Sequence, residues 1–216
     1  MAPMTTMTTM KLHWSPKSPY VRKVMVCAHE LGIVDRLELV RSVAAMLKPN
    51  PAIMVDNPLS KIPTLVRGDG PPLFDSAVIC EYLDAQAGGA LFPAGGEARW
   101  NALRRHALGD GLLDALILWR NERERAQPLP VLIDAFALKT CAVLALLEGE
   151  AAASGASSAP GATTPDIGDI AIGCALGYLD YRFGTLAWRT DAPRLAAWFD
   201  ALGARPSFRA TEAAEG

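Results

Sequence analysis

The sequence predicts a small α/β domain followed by an all-helical domain. Strand and helix signals alternate through the first 87 residues, and almost only helical patterns follow from residue 98. A composition break separates the two regions, because Ala87-Gly88-Gly89-Ala90 and Pro93-Ala94-Gly95-Gly96 are rich in residues that interrupt regular structure. We therefore predict a tail at 1–10, an α/β domain at 11–87, a linker at 88–97 and a helical domain at 98–216.

The first domain begins with a predicted strand, helix and strand. Leu12-His13-Trp14 is a short strand candidate that stops at Ser15-Pro16. From Pro19 to Leu31 the apolar residues recur at helical spacing, and Gly32 ends that run as a C-terminal cap would. Residues 37–40 are the next strand candidate.

A hairpin and a second helix complete the predicted first domain. Residues 64–66 and 72–74 flank Arg67-Gly68-Asp69-Gly70, a turn sequence of the kind that joins antiparallel strands. The apolar residues that follow Ala77 then indicate a helix.

The second domain is predicted to consist of helices joined by short connections and one longer one. Helices are expected at 98–125, 131–150, 167–182 and 193–202, the last with proline in its first turn. Residues 151–165 contain mainly Ala, Ser, Gly, Pro and Thr, so they have little apolar surface to offset the entropy of ordering. We expect that connection to be mobile.

The composition argues against two classes of partner. The chain has 216 residues and a formal net charge of -2, whereas nucleic-acid-binding proteins usually carry a concentrated basic face. Its N-terminus lacks the basic start and apolar core of a signal peptide. No uninterrupted apolar run reaches the roughly 18 residues that a membrane span needs. We therefore expect a cytoplasmic protein with no nucleic-acid or membrane partner.

The cysteines and histidines predict neither a metal site nor a dithiol centre. The four cysteines are far apart and show no C-x-x-C spacing, and the three histidines show no H-E-x-x-H spacing. We expect reduced and mostly buried thiols, because free cysteine packs as a small apolar side chain. These residues are Cys27, Cys80, Cys141, Cys174, His13, His29 and His106.

Two serines near the first predicted helix are candidate thiol-activating residues. Ser18 precedes Pro19 and has a structural role available as the N-cap of that helix. A capped helix end also concentrates amide donors, and a hydroxyl there can stabilise a nearby thiolate. Thiols are poor nucleophiles while protonated, so such stabilisation makes them reactive at neutral pH. Ser15, at the end of the first strand, is the competing candidate, with a Ser-Pro turn as its structural explanation.

A proline before the third strand marks a second candidate site. Ser60-Lys61-Ile62-Pro63-Thr64 could be an ordinary strand start, since proline is tolerated there. A cis Ile62–Pro63 bond is the functional alternative. It would turn the backbone of Ile62 outward, so that its N–H and C=O could pair with a peptide ligand as an added strand does.

The start of the next predicted helix is a third candidate site. In Phe74-Asp75-Ser76-Ala77, Asp75 or Ser76 can serve as the N-cap. The same geometry suits an α-amino-acid group, because helix-start donors bind a carboxylate and the Asp75 side chain binds an ammonium. In the second domain, Asp166-Ile167-Gly168-Asp169 has capping-box spacing, and we interpret it as structural.

These motifs occur in an order and spacing that resemble the glutathione transferase superfamily, in its bacterial, serine-type, cytosolic form. The resemblance covers nearly the whole chain from Lys11 onward. It implies a thioredoxin-like N-terminal domain that binds glutathione, followed by an all-α C-terminal domain. The segments that carry it run from Ser18 to Ile33, Asn57 to Pro63, Phe74 to Leu83 and Asp166 to Asp180.

The resemblance also implies roles for individual residues. The backbone of Ile62, next to a cis Pro63, would pair with the cysteinyl part of glutathione, and Asp75 with Ser76 would hold its γ-glutamyl group. Lys61 would approach the tripeptide. The thiol-activating position falls on Ser18, with Ser15 as the alternative if the loop contains an extra residue.

The implied activity is transfer of the glutathione thiolate to a hydrophobic electrophile by a homodimer. We expect Trp14 and Trp119 to line the electrophile pocket, which is a suggestion from composition. Glutathione-dependent peroxidase or dehalogenase activity is an alternative, and so is a non-catalytic regulatory role that keeps the fold.

Overall fold

The computed structural model describes residues 9–89, 91–153 and 164–215, and the chain divides into two compact units. The first unit contains the chain up to Gly89 together with its last residues from Ala214, and the second contains the residues up to Ala213. Two predicted segments fall largely outside the described residues: the tail at 1–10, except for its last two residues, and positions 154–163 of the connection at 151–165.

The first unit is built on a three-stranded sheet. Its strands are β1 (Met10–Trp14), β2 (Leu37–Arg41) and β3 (Thr64–Val66), in the order β2-β1-β3. Strand β1 pairs with β2 in parallel and with β3 in the antiparallel sense. It begins at Met10, two residues before the predicted strand and inside the predicted tail.

Helices α1 (Pro19–Glu30), α2 (Pro51–Met54) and α3 (Ser76–Ala87) complete this unit, with a short 3-10 helix at Val34–Arg36. Helix α1 ends as predicted, because Gly32 adopts a positive φ of 65° that favours glycine. The amide of Gly32 donates to the carbonyl of His29 and that of Ile33 donates to Ala28, at 3.1 and 2.9 Å. This pair of hydrogen bonds is a Schellman motif, which satisfies the last carbonyls of the helix.

The predicted hairpin forms only in part. Leu65 and Leu73 exchange backbone hydrogen bonds at 3.0 and 2.8 Å, but residues 72–74 form an isolated bridge, not a strand. The prediction of a second hairpin strand was therefore wrong. The reason is that Pro71 and Pro72 have no N–H group, so the ladder cannot extend from Leu73 toward the turn.

The second unit is helical. Its first helix, α4, begins at Gly96 inside the predicted linker, and the second, α5, continues through residues 151–153, which were predicted to be part of a loose connection. The helices are α4 (Gly96–Arg123), α5 (Pro130–Ala153), α6 (Ile167–Arg182), α7 (Trp188–Asp191), α8 (Pro193–Gly203) and α9 (Pro206–Arg209).

Helices α4 and α6 pack closely against each other at the centre of this unit. The two helices approach closely at Gly109, where a Cβ atom would lie 2.6 Å from the carbonyl carbon of Ala171 and 2.8 Å from the nitrogen of Ile172. Because both neighbours are backbone atoms, glycine is required for this approach. The buried side chains of α6 form much of the core around it.

The start of α6 is fixed by the predicted capping box. The Asp166 carboxylate accepts from the amide of Asp169 at 2.9 Å, and the Asp169 carboxylate accepts from the amide of Asp166 at 3.3 Å. Burial raises the pKa of Asp169, a shift that the Arg105 guanidinium 2.9 Å away opposes. The amide of Ile167 donates to the carbonyl of Leu91 at 2.8 Å, so this helix start is also tied to the beginning of the unit.

Helix α5 supplies the N-terminal cap of α8. The residue before α8 is Ala192, whose side chain cannot cap. The Glu148 carboxylate of α5 instead accepts from the amides of Arg194 and Leu195 at 3.3 and 2.8 Å. Unsatisfied amides at a helix start attract negative charge, so this contact joins the two helices.

The same helix α5 has an unusually apolar sequence. Of the helices in the described ranges, it alone is long and apolar enough to cross a membrane by length and composition, and 22% of its most apolar stretch is buried. One such helix is weak evidence of a membrane span, and Asp134 and Lys139 interrupt its sequence. Its exposed large apolar side chains are Val131, Leu132, Leu138 and Leu146.

Candidate functional site

The topology of the sheet brings the three predicted motifs of the first unit to one edge. Because β1 and β3 are antiparallel, with His13 opposite Thr64, the end of β1 lies beside the start of β3. Leu73 pairs with Leu65 in the antiparallel sense, so the chain that continues to Asp75 runs toward the same edge. Residues 15–18, 61–63 and 75–76 therefore all extend from this edge of the sheet.

Ser18 caps α1 and retains a hydrogen to donate. Its hydroxyl oxygen accepts from the amide of Val21 at 3.3 Å, and its own amide donates to the carbonyl of Ser15. No acceptor among the described residues takes the hydrogen of the Ser18 hydroxyl. Since the side chain is only partly buried at a helix N-terminus, it can donate to an anion that approaches from outside.

Ser15 lies in the turn between β1 and α1. Its hydroxyl accepts a long hydrogen bond of 3.4 Å from the amide of Lys17. This contact fits the predicted turn role, and the hydroxyl is also partly exposed. Only Ser18 lies at the N-terminus of α1. The helix-end argument for stabilising a thiolate therefore favours Ser18 over Ser15.

The segment before β3 presents a free backbone. The Ile62–Pro63 peptide bond is cis, the form that the resemblance implies. Within residues 9–89, 91–153 and 164–215, the N–H and C=O of Ile62 have no hydrogen-bond partner, and neither does the exposed Lys61 ammonium. One free donor, one free acceptor and one cation thus lie in two consecutive residues, as a peptide ligand requires.

The start of α3 has spare groups for a charged ligand. Asp75 is the N-cap, and one of its carboxylate oxygens accepts from the amide of Ala77 at 3.0 Å. Its other oxygen has no partner in the part of the chain that the structure describes, and the same is true of the Ser76 hydroxyl and amide. An ammonium and a carboxylate could therefore both bind at this helix start.

Two buried residues that the sequence reasoning missed hold the Lys61–Pro63 segment in place. The Asn57 side chain donates to the carbonyl of Lys61 at 3.2 Å and to the Thr64 hydroxyl at 2.9 Å. The Thr64 hydroxyl also donates to the Lys61 carbonyl, at 2.9 Å. Asn57 and Thr64 are 1% and 0% exposed, so this hub is rigid. The Asn57-Pro58 dipeptide was the only signal, and it indicates a turn without showing what the side chain binds.

A second polar cluster fixes the residue before Asn57. Asp56 accepts from Lys11 at 2.9 Å and lies 2.8 Å from the ring nitrogen Nε2 of the buried His13, whose Nδ1 lies 2.8 Å from the Ser42 hydroxyl. The hydrogen bond with His13, followed by that with Lys11, lowers the pKa of Asp56 below its usual value of 3.8. From the sequence, His13 was predicted only not to bind a metal. Its polar contacts could not be predicted, because the partners lie 29 and 43 positions away in the sequence.

The Asp56 cluster predicts a pH-dependent contribution to stability. Because folding lowers the pKa of Asp56, its contribution is complete above about pH 4 and is lost as the pH falls through the lowered value. We expect Asp56→Asn to cost roughly 1–2 kcal/mol at pH 7 and progressively less below pH ~4. Unfolding in urea from pH 7 down to pH 2.5 measures this, with the exposed Asp35→Asn as control. A cost that does not vary with pH would contradict the assignment.

The remaining predicted site residues lie in different units. Trp14 is partly buried in the first unit, with the Arg41 guanidinium 5.8 Å from its ring centroid. Trp119 is in the second unit, buried, with its ring centroid 4.7 Å from that of Phe183. Their role as an electrophile pocket stays a prediction. Among the described residues no group of three His, Cys, Asp or Glu side chains is placed to hold a metal ion.

The cysteines are free thiols. Three of them are buried, as expected of apolar packing, whereas Cys141 is exposed on α5. The buried ones are Cys27, Cys80 and Cys174.

Comparison with known proteins identifies the family of this fold and site. Residues 17–86 match the family model of the glutathione S-transferase N-terminal domain, and residues 142–201 match that of the C-terminal domain. The chain is also 31% identical over 208 residues to an uncharacterized GST-like protein, YibF, of Escherichia coli (strain K12), a match that covers 94% of this chain and 98% of that protein. The chain belongs to the glutathione S-transferase family.

Solved structures similar to this glutathione S-transferase family member include complexes with the tripeptide. A glutathione transferase family member from Pseudomonas fluorescens Pf-5, with bound glutathione, is 43% identical, with a TM-score of 0.88, and the match covers 96% of this chain and 100% of that one. A second structure from the same organism, with bound S-(propanoic acid)-glutathione, is 42% identical with a TM-score of 0.84. That match also covers 96% of this chain and 100% of the other. A glutathione S-transferase from Methylobacillus flagellatus KT, with glutathione bound, is 33% identical with a TM-score of 0.84, over 95% of this chain and 100% of that one.

Proposed function

We propose that this family member binds glutathione along the edge of the first unit and transfers its thiolate to a hydrophobic electrophile. The observation that carries the proposal is the set of unpaired groups at one edge of the sheet. Ile62 offers a backbone donor and acceptor, Asp75 an anionic oxygen and Ser76 two donors. These groups match the peptide backbone, the ammonium and the carboxylate of a γ-glutamyl tripeptide.

In this proposal each residue has a distinct role. The Ile62 backbone pairs with the cysteinyl residue, next to the cis Pro63, while Lys61 supplies a cation near the tripeptide. Asp75 binds the γ-glutamyl ammonium and Ser76 binds its carboxylate. Ser18 donates its free hydroxyl hydrogen to the sulfur, which favours the thiolate, and Ser15 is the alternative donor. Holding both reactants together supplies a further part of the rate acceleration.

One solved relative supports conjugation as the reaction. The Pseudomonas structure with S-(propanoic acid)-glutathione contains a tripeptide whose sulfur is already bonded to carbon. That compound has the form of a product of thiolate addition or substitution. Reduction of peroxides and dehalogenation use the same activated thiolate, so they are the alternatives that a substrate survey would distinguish.

The assembly and location follow from the resemblance and stay predictions. We propose a homodimer, and the exposed apolar side chains of α5 support it, because large exposed apolar surfaces are commonly covered by a partner. A cytoplasmic location is proposed on the same resemblance. Trp14 and Trp119 are proposed to contact the electrophile.

Retention on immobilised glutathione, followed by turnover of a chromogenic aryl halide, tests the proposed function. We expect retention that free glutathione reverses, and turnover that depends on glutathione. Asp75→Asn should weaken retention by roughly tenfold or more, because an ammonium then loses its charged partner. Asp35→Asn, an exposed carboxylate far along the sequence from this site, is the matched control.

Each negative result has a separate meaning. Retention without turnover of any aryl halide, enone or hydroperoxide would favour the non-catalytic regulatory role. If immobilised glutathione does not retain the wild-type protein, both the transferase role and the regulatory role are contradicted.

A further inference from the structure

One residue beside the proposed glutathione site has a strained backbone. Ser60 has a φ of 53°, and it is the one non-glycine residue with a positive φ among residues 9–89, 91–153 and 164–215. The left-handed conformation disfavours residues with a Cβ atom, so such a residue persists only where its surroundings hold it. Lys61 and Ile62, which are proposed to contact glutathione, follow it directly in the sequence.

The Ser60 hydroxyl supplies a contact that can hold this conformation. It accepts from the backbone amide of Asn50 at 2.8 Å, and Asn50 is the N-cap of α2. Asn50 is itself fixed, because its side chain accepts from the amide of Ala52 at 3.0 Å and donates to the carbonyl of Val43 at 3.0 Å. The hydroxyl therefore attaches the turn at Ser60 to a separate, anchored segment of the chain.

The backbone on either side of Ser60 is fixed by Asn57. The amide of Ser60 donates to the carbonyl of Asn57 at 2.9 Å, and the Asn57 side chain donates to the carbonyl of Lys61 at 3.2 Å. The Lys61 carbonyl is thus held toward the hub of Asn57 and Thr64. The peptide bond between Lys61 and Ile62 is trans, so its C=O and N–H point in opposite directions. The amide of Ile62 is therefore directed away from the hub.

The peptide group between these two anchors has no hydrogen bond of its own. Neither the carbonyl of Ser60 nor the amide of Lys61 has a hydrogen-bond partner within the described part of the chain. The orientation of this peptide group, and with it the position of Lys61, therefore depends on the backbone conformation of Ser60. A change of Ser60 to a negative φ would rotate the peptide group and displace Lys61.

We propose that Ser60 is a positioning residue for glutathione, and that its hydroxyl holds the strained turn that places Lys61 and Ile62 for binding. This role rests on the proposed function, since it concerns the same glutathione site. Serine provides the acceptor for the amide of Asn50, which glycine lacks, whereas glycine would adopt the positive φ without strain. Removing the hydroxyl while keeping Cβ leaves the strain without the contact that opposes it.

Calorimetric titration of glutathione into the folded protein tests this role with two variants. Ser60→Ala keeps the strain and loses the hydroxyl, so we expect the turn to leave the left-handed conformation and the Kd for glutathione to rise about three- to tenfold. Ser60→Gly loses the hydroxyl and the strain together, so its Kd should lie within about twofold of the wild-type value. The KM for glutathione should follow the same order, with kcat at saturating glutathione changed less than KM.

Hydrogen exchange of the Asn50 amide tests the contact separately and needs no ligand. Exchange should accelerate in both variants, because both lose the acceptor, although only Ser60→Ala loses affinity. A role in stability alone would lower the Tm of Ser60→Ala and leave the Kd of the folded protein unchanged. Thr185→Ala, which removes an exposed hydroxyl of the second unit, is the matched control and should change none of these quantities.

Thermal unfolding shows which variants are folded. If Ser60→Ala is not folded, Ser60→Cys replaces it, because sulfur is only a weak acceptor and Cβ is kept. Wild-type affinity in Ser60→Ala, affinity in Ser60→Gly as low as in Ser60→Ala, or unchanged exchange at Asn50 would overturn the positioning role while the proposed function stands. If the wild-type protein does not bind glutathione, the proposed function fails and the positioning role fails with it.

Discussion

Ser18→Ala is expected to lower kcat for glutathione transfer about 10- to 100-fold while leaving the KM for glutathione nearly unchanged. A hydrogen bond to a charged acceptor contributes about 1.5–3 kcal/mol, and each 1.36 kcal/mol is tenfold in rate. The tripeptide keeps its contacts with Ile62 and Asp75, so binding is largely preserved in the proposed site. The apparent pKa in the pH profile of kcat should rise, because the thiolate loses its donor.

The capping role of Ser18 must be separated from its proposed chemical role. Loss of the cap costs about 1 kcal/mol, which lowers stability but does not change the bound sulfur. Ser18→Asp restores an oxygen for the amide of Val21 and has no hydrogen to donate, so it should be stable yet as slow as the alanine variant. Ser15→Ala is the matched control and should retain the rate. A normal rate in Ser18→Ala with a slow Ser15→Ala would transfer the role to Ser15.

Gly109→Val is expected to destabilise the protein by about 2–4 kcal/mol, seen as a fall in Tm of roughly 5–15 °C. The added Cβ would lie 2.6 Å from the backbone of Ala171, well inside contact distance. Backbone cannot rotate away as a side chain can, so α4 and α6 must separate along the centre of the second unit. Thermal unfolding followed by circular dichroism measures the effect.

Gly111→Val is the matched control for that experiment. It lies two residues further along α4, is exposed, and has no atom within 4 Å of an added Cβ. Valine and glycine differ little in helix propensity, so we expect a change within about 0.5 kcal/mol. A similar loss of stability in both variants would mean that the helix itself, and not the contact with α6, is sensitive to valine.

Local rules predicted most of the fold. The fold class is confirmed, and the helix ends at Gly32 and Asp166 form through the hydrogen bonds that their residue types favour. The missing hairpin strand is a case where two local signals conflict. Arg67-Gly68-Asp69-Gly70 favours a hairpin, but the prolines beside it remove the amides that would pair. Helix α2, at Pro51–Met54, is too short for any periodicity to show.

The candidate site was predictable where neighbouring residues carry the signal. The resemblance located Ile62, Asp75 and Ser18 because each lies in a short motif, although their roles stay predictions. The supporting residues could not be found in this way. Asp56 reaches His13 across 43 positions, and only the pairing of strands brings such residues together. In the second unit, Arg120 reaches the Tyr178 hydroxyl across 58 positions.

The contact of Glu148 with the start of α8 has a consequence for how the second unit opens. Because Ala192 cannot cap α8, the first amides of that helix are satisfied only while α5 is in place. Local unfolding of α5 would therefore expose the Leu195 amide to solvent exchange at the same time. The two helices therefore belong to one cooperative unit, although the residues in contact are 46 positions apart in the sequence. Unfolding of one helix destabilises the other.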